Sequence, residues 1–296
     1  MFAYFRDFAH NPFLLTGLLA GLLASVACGA VGPFVLSRRV VLLSGAIAHA
    51  AVGGVGIVIF LNGYFPDVFG WLDPILGAML VAVACAVVIA VGEQRLGGMP
   101  ETLIGAMWAF GMSLGVLLAK LTPGYQTQLM NFLFGNISYV SWSQLRMLLV
   151  LDGVILSVVL LFHKQLVAFC LDPEQAQLQG VSPTFLGIIL FGLTALAVVA
   201  LAQVVGLVMV ITLLALPAAT VAPFLKRFGP MIFWSMVLAV VLTTVPRILV
   251  YGTFLSAESS IVLAAVLCYL AVLTGRVLLS KLLSRLLPSP TETSQV

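Results

Sequence analysis

Two ionisable side chains lie deep inside long apolar segments of this sequence. His49 follows VVLLSGAIA, and Asp152 interrupts RMLLVLDGVILSVVLLF. Ionisable groups at membrane depth are costly, so they mark functional sites by default, and neutral imidazole is a common ligand for Zn²⁺ and other transition metals. We therefore predict that His49 contacts a metal ion and that Asp152 faces a wet cavity, a cation or a donor. The alternatives are an interhelical hydrogen bond for His49 and a structural hydrogen bond or ion pair for Asp152.

The composition places these residues in a membrane. Hydrophobic residues make up 62% of the 296 positions, charged residues 8%, and mean hydropathy is +1.22, whereas a soluble domain carries roughly 25% charge. Uncharged apolar runs recur, each long enough to cross a hydrocarbon core of about 30 Å as a helix. The chain is predicted to be an all-α integral membrane protein, with one transmembrane domain (1–284) and a disordered polar tail (285–296).

We predict eight or nine transmembrane helices. The division between the sixth and seventh is the weakest, because residues 184–222 are apolar throughout and only Gln203 and Gly206 suggest a break. Eight would follow if one of these two segments is re-entrant. The nine candidate spans are 13–37, 40–62, 73–92, 103–121, 145–165, 184–203, 205–222, 230–252 and 259–284.

Charge in the connecting segments predicts the orientation. With nine spans, alternate loops and the C-terminal end carry positive residues that would all be cytoplasmic under the positive-inside rule. These residues are Arg38, Arg39, Arg95, Lys164, Lys226, Arg227, Arg276, Lys281 and Arg285. The N-terminus is then outside and the C-terminus inside a bacterial-type cytoplasmic membrane.

The segment LDPEQAQLQGVSP after the fifth span predicts a short helix outside the membrane, over about 172–180. Its Asp is suited to the N-cap, and the Pro that follows is suited to the first helical position. The Glu is favoured near the positive end of the helix dipole, and the Gly is suited to the C-terminal cap. The helix is either a docking element for a cytoplasmic partner or a plain connector. The candidate coupling residues are Asp172, Pro173, Glu174, Gln175, Ala176 and Gly180.

Other motifs narrow the function. Pro217 in LALPAAT would kink its helix and expose carbonyl groups, which predicts a gate, although kinks are common in membrane helices. No lysine stands in a GxxxxGK[ST] motif, and the sequence contains no HExxH motif. We predict that the chain is not an enzyme and that any ATP is hydrolysed on another subunit.

Four stretches, in order, resemble the permeases of the zinc, manganese and iron class of ABC importers. The resemblance implies a permease of the vitamin-B12/metal-chelate-like type, two permease copies with the pathway between them, a cytoplasmic ATPase dimer and an extracytoplasmic metal-binding protein. It also implies that the helix from Pro173 to Gln179 couples ATPase to permease. The stretches are SRRVVLLSGAIAHAAVGGVG (37–56), PETLIG (100–105) with LFGNISYVSWSQL (133–145), DPEQAQLQGVSP (172–183) and VVGLVMVITLLALPAAT (204–220).

One position departs from the family pattern. The family usually has an Asp four residues before the histidine of the second span, whereas this chain has Gly45 before His49. Asp152 is our candidate to supply the missing negative charge from another helix. A histidine without an adjacent carboxylate favours zinc over manganese or iron as the transported ion.

The expected partners are membrane lipid and protein subunits, with no nucleic acid and no permanently bound cofactor. The alternative function is a stand-alone secondary carrier of a metal or other cation. Such a carrier would need more intramembrane carboxylates and usually an internal repeat, and Asp152 is the one acid well inside a predicted span.

Overall fold

The computed structural model describes residues 4, 6–7, 11–95, 100–122, 132, 135, 140–178 and 180–286. Within these ranges the chain forms α-helices joined by short connections, and Ala222–Phe224 adds one 3₁₀ turn. The helices are α1 (Pro12–Ser37), α2 (Val41–Tyr64), α3 (Pro66–Phe69), α4 (Pro74–Arg95), α5 (Pro100–Leu121), α6 (Trp142–Leu161), α7 (His163–Leu171), α8 (Pro173–Leu178), α9 (Pro183–Val205), α10 (Leu207–Val221), α11 (Phe228–Val250) and α12 (Ala257–Leu286).

Nine helices of the described chain are long and apolar enough to cross a membrane. They are α1, α2, α4, α5, α6, α9, α10, α11 and α12, the 3₁₀ turn extending α10 to Phe224. The nine candidate spans agree with the prediction of eight or nine transmembrane helices. The last helix extends to Leu286, two residues into the predicted tail, and 287–296 lie outside the described residues.

Local capping sets the limits of the fifth span. The Ser141 hydroxyl accepts a hydrogen bond from the Gln144 backbone, and the Gln144 side chain accepts one from the Ser141 backbone. This capping box starts the helix at Trp142, earlier than the predicted residue 145. The helix ends at Leu161, and a separate helix, α7, carries the chain on from His163.

A glycine separates the sixth and seventh spans. Gly206 has φ +80° and lies between the end of α9 and the start of α10. Gly135 lies directly on this break, because a Cβ added to it would fall against the Gly206 nitrogen and the Val205 carbonyl carbon. Both glycines have positive φ, which costs a glycine little. The weakly marked division at Gly206 is thus a real helix boundary.

Contacts between helix ends agree with spans that run in alternating directions. Phe34, near the end of α1, stacks on Phe228 at the start of α11, with ring centroids 5.4 Å apart, and meets His163 at 6.1 Å. At the other end of the bundle, the Tyr64 hydroxyl donates to the Leu121 carbonyl oxygen at 3.1 Å. The ends predicted to be cytoplasmic therefore cluster together.

The centre of the bundle is formed by α1, α2 and α9. Helix α2 packs on α4, α5, α9 and α10, whereas α1 packs on α6, α9, α10 and α11. The candidate residue His49 thus lies on one of the most enclosed helices, while α12 is largely exposed on the surface.

Candidate functional site

His49 lies on α2 beside an indole ring from α5. The imidazole and the Trp108 ring are nearly parallel, with centroids 5.0 Å apart and 12° between their planes. The His49 side chain is half-buried, and its buried Nδ1 makes no hydrogen bond within the described chain. The predicted metal contact therefore has one ring face covered and one nitrogen without a protein partner.

Backbone contact between α2 and α5 brings these two rings together. A Cβ on Gly111 would fall against Ala50 Cα and 3.1 Å from the His49 carbonyl oxygen, and a Cβ on Gly53 would lie 2.9 Å from the Gly111 carbonyl oxygen. Small residues at such contacts allow membrane helices to approach closely. Trp108 lies three residues before Gly111 on α5, so this close packing places the indole on the imidazole.

The position four residues before His49 is open. Gly45 is buried, yet an added Cβ would have only Ile211 Cδ1 of α10 within 4 Å outside its own helix, at 3.9 Å. By contrast, a Cβ on Gly54 would collide with the Gly77 carbonyl oxygen of α4. Among the described residues, Gly45 therefore has room for a Cβ, and helix packing does not require a glycine there.

Asp152 occupies a different helix interface from His49. It is 4% exposed, lies close to Cys28 of α1, and its Oδ2 accepts no hydrogen bond from any described residue. Helix α6 packs on α1, α7 and α9, whereas α2 forms no extensive interface with α6. The structure therefore does not bring Asp152 to His49 within one chain.

A complete metal site does not form within the described part of one chain. No group of three or more His, Cys, Asp or Glu residues there is arranged to hold an ion. The proposed roles of His49 and Asp152 as metal contacts remain predictions. Within its described part, one chain offers His49 as an isolated candidate ligand.

The predicted short helix outside the spans is present as α8. Asp172 Oδ1 accepts hydrogen bonds from the backbone nitrogens of Glu174 and Gln175, both at 3.0 Å, which is the expected N-cap. Gly180 has φ +82°, and its nitrogen donates to a carbonyl of the last turn. The helix covers Pro173–Leu178, while the predicted Gln179 lies outside the described residues.

One side of α8 is fixed to the bundle and the other is open. Ala176 is buried, whereas Leu178 is 88% exposed and Leu171, at the end of α7, is 71% exposed. Exposed leucines on a polar segment outside the spans are suited to contact with another protein. Docking of a partner at this helix remains a prediction.

A charged junction connects α7 to the ends of α1 and α4. Arg38 forms an ion pair with Glu93, and its guanidinium carbon lies 4.4 Å from the centroid of the Phe169 ring. The neighbouring Cys170 Sγ donates to the Phe34 carbonyl oxygen at 3.7 Å. These contacts tie α7, the helix that precedes α8, to the ends of α1 and α4.

Pro217 lies within α10, which remains helical from Leu207 to Val221. The adjacent turn is in tight contact with α1, because a Cβ on Gly32 would fall against the Leu214 carbonyl oxygen. The proposed gate at Pro217 remains a prediction. Within the family-like stretch at 133–145, residues 133–134 and 136–139 lie outside the described residues.

Sequence analysis missed two residues that contact the candidate machinery. Trp108 was not singled out because aromatic residues are common in apolar spans. It does share a helix face with Gly111 and Gly115, at i, i+3 and i+7. That spacing could have placed it at a helix contact. Arg38 was treated only as a topological charge, and nothing in the sequence joins it to Phe169.

Comparison with known proteins identifies the family. The model of the ABC 3 transport family matches residues 10–276. The chain belongs to the ABC 3 transport family. An uncharacterised membrane protein of Synechocystis is 34% identical over 89% of this chain and 91% of its own length.

Named relatives of this ABC 3 family member are transport proteins. A probable metal transport system membrane protein of Chlamydia trachomatis is 30% identical over 81% of both chains. A manganese transport system membrane protein of Halalkalibacterium halodurans is 28% identical over 77% of this chain and 75% of its own. The resemblance noted in the sequence is confirmed.

Solved structures confirm the all-α permease fold. The structure titled PsaBC from Streptococcus pneumoniae, in complex with Fab, contains a chain with a TM-score of 0.79 and 27% identity, covering 92% of this chain and 95% of its own. A metal-chelate type ABC transporter in an inward-facing conformation matches at a TM-score of 0.70 and 15% identity, over 88% and 86% of the two chains. As an ABC 3 permease, the chain is a transport subunit, and ATP hydrolysis in such systems belongs to a separate subunit.

Proposed function

We propose that this ABC 3 permease imports a divalent transition metal, most readily zinc, by alternating access between two copies of the chain. The observation that carries the proposal is His49. It is a half-buried imidazole with an unpartnered nitrogen, on a central span of a chain from a transport family. The relative named for metal transport in Chlamydia trachomatis supports the same class of substrate.

The isolated character of His49 suits transport rather than storage. A tight tetrahedral zinc site uses four ligands, and an ion held that firmly would not be released on each cycle. One imidazole from each of two copies forms a transient waypoint, with water completing the coordination. Buried and away from His49, Asp152 would act by contributing negative charge along the pathway.

The choice of zinc rests on ligand type. Imidazole suits Zn²⁺, whereas carboxylate and water ligands suit Mn²⁺, and Gly45 supplies no carboxylate beside His49. One relative is named for manganese, so manganese is the principal competitor and iron the next.

Energy for transport comes from a cytoplasmic ATPase dimer that docks at α8. The exposed Leu178 and the capped Pro173–Leu178 helix support this contact. Its movement passes through α7 to Arg38 and so to α2, which carries His49. An extracytoplasmic metal-binding protein delivers the ion on the opposite face, where the N-terminus lies.

The proposal is tested by uptake of radiolabelled Zn²⁺, Mn²⁺ and Fe²⁺ into proteoliposomes that contain the chain, its ATPase and its binding protein. We expect ATP-dependent Zn²⁺ uptake that falls at least about tenfold in His49→Ala, because one coordinate bond at the waypoint is lost. Assembly with the ATPase is measured beside uptake, so that a variant that fails to assemble is distinguished from one that has lost a ligand.

Undiminished uptake by an assembled His49→Ala complex would remove His49 as a ligand. Uptake of Mn²⁺ in place of Zn²⁺ would keep the transporter and reject the ion choice. Transport by the chain without ATP or an ATPase would instead support the secondary carrier.

A further inference from the structure

The imidazole of His49 lacks the usual device that orients a metal-binding histidine. Such histidines almost always donate their second ring nitrogen to a carboxylate, a carbonyl or water. Here Nδ1 has no hydrogen bond to any described residue, and the position one turn earlier is Gly45. The contact that defines the ring plane is the stack on Trp108.

The stack has the geometry to orient the ring without blocking coordination. The two planes are only 12° apart, so the indole covers a face of the imidazole. The nitrogen lone pair that binds a metal lies in the plane of the imidazole and points outward from the ring. A parallel stack therefore restricts rotation about the side-chain bonds and leaves the coordinating direction open.

The position of the indole is itself fixed by the fold. Gly111 and Gly53 allow α5 and α2 to touch along their backbones, which fixes the spacing between the Trp108 and His49 backbones. Trp108 is nevertheless 41% exposed, so part of the indole is open at the surface of the chain. The pair lies at the boundary between the core and an open surface.

We propose that Trp108 is a positioning residue for His49, replacing the missing hydrogen-bonding partner by holding the imidazole in the orientation that meets a divalent transition metal. This inference rests on the proposed function, because it assumes that His49 is a metal contact. Aromatic stacking of this strength favours one orientation by roughly threefold to tenfold. The indole is also close enough to report metal occupancy at His49.

The first experiment uses tryptophan fluorescence of the full chain in lipid nanodiscs. Replacing Trp71, Trp142 and Trp234 with phenylalanine leaves Trp108 as the single indole. Co²⁺, which quenches nearby indoles, is added and then displaced with Zn²⁺. We expect saturable quenching that Zn²⁺ reverses and that His49→Ala abolishes.

The second experiment measures Co²⁺ affinity by calorimetry in the otherwise unchanged chain. Trp108→Ala is expected to weaken binding roughly threefold to tenfold, and Trp108→Phe to stay within about twofold because a ring still stacks. Trp234→Ala is the matched control, an exposed tryptophan on α11 whose ring contact is with a phenylalanine. If Trp108→Ala does not fold, Trp108→Leu, which keeps apolar volume without a ring, replaces it in the comparison.

The outcomes separate this inference from the proposed function. Binding that requires His49 but is equally strong in Trp108→Ala and Trp108→Leu would overturn the positioning role and leave the waypoint intact. Binding that is unchanged in His49→Ala would overturn both. Binding that depends on both residues, in a chain that transports no metal with its ATPase, would support the positioning role and reject the proposed transport.

Discussion

Replacing Gly45 with aspartate would place a carboxylate one helical turn before His49, on the same face of α2. The structure provides space for the first side-chain atom, because an added Cβ has only Ile211 Cδ1 as a neighbour from another described helix, at 3.9 Å. This is ordinary van der Waals contact. Gly45→Ala should therefore change stability little, whereas Gly54→Ala should be strongly destabilising, because its Cβ would overlap the Gly77 carbonyl oxygen.

The charge, rather than the volume, sets the expected magnitude for Gly45→Asp. A carboxylate at membrane depth costs about 2.5–3.5 kcal/mol. That loss corresponds to a fall of roughly 5–14 °C in melting temperature for domains of 150–250 residues, and to a somewhat smaller fall for this 296-residue chain. A divalent cation about 4 Å away, at an effective dielectric of 20, attracts the carboxylate by about 8 kcal/mol before desolvation of the ion. A bound ion is therefore expected to offset the cost.

The assay is thermal unfolding of the purified chain in detergent, first with a chelator and then with Zn²⁺ or Mn²⁺. Gly45→Asp should melt below wild type with chelator and recover with metal. Gly45→Asn is the matched control, since it has the same shape without the charge and should not recover. The rise in the melting temperature of Gly45→Asp, relative to wild type, should be larger with Mn²⁺ than with Zn²⁺, because manganese prefers carboxylate ligands.

Two results would refute this reasoning. If Gly45→Ala lowered the melting temperature as much as Gly54→Ala, the position would not be open. If metal stabilised the asparagine and aspartate variants equally, the side chain at residue 45 would not share an ion with His49.

Two further predictions concern the cytoplasmic end. Asp172→Ala removes the cap of α8 and should destabilise that helix by about 1 kcal/mol. The amount of ATPase that the permease captures in a pull-down should then fall, whereas Asp172→Asn, which can still cap the helix, should capture as much as wild type. Equal capture by the two variants would reject α8 as the docking element. Phe169→Leu keeps apolar burial but removes the ring beneath Arg38, worth about 0.5–2 kcal/mol, so metal transported per ATP should fall while ATPase binding persists. Phe191→Leu, an equally buried phenylalanine without a cation contact, should leave this ratio unchanged.

Much of the architecture follows from local pattern. Each span is an uncharged apolar run longer than the hydrocarbon core, so its existence and approximate limits depend on its own residues. The short helix α8 was also predictable, because Asp172, Pro173 and Gly180 satisfy its ends through neighbouring backbone groups. Local caps that went unrecognised explain the misplaced limits of the fifth span, where Ser141 and Gln144 start the helix early.

Tertiary structure alone decided what surrounds the candidate ligand. The sequence by itself singled out His49 and the missing carboxylate at Gly45, because an ionisable residue within an apolar span, or its absence, can be recognised from the order of residues alone. The partner Trp108, the free space beside Gly45 and the remote position of Asp152 depend on which helices touch. In a membrane, that choice follows from where small residues allow backbones to approach, and such packing joins positions that are far apart in the chain.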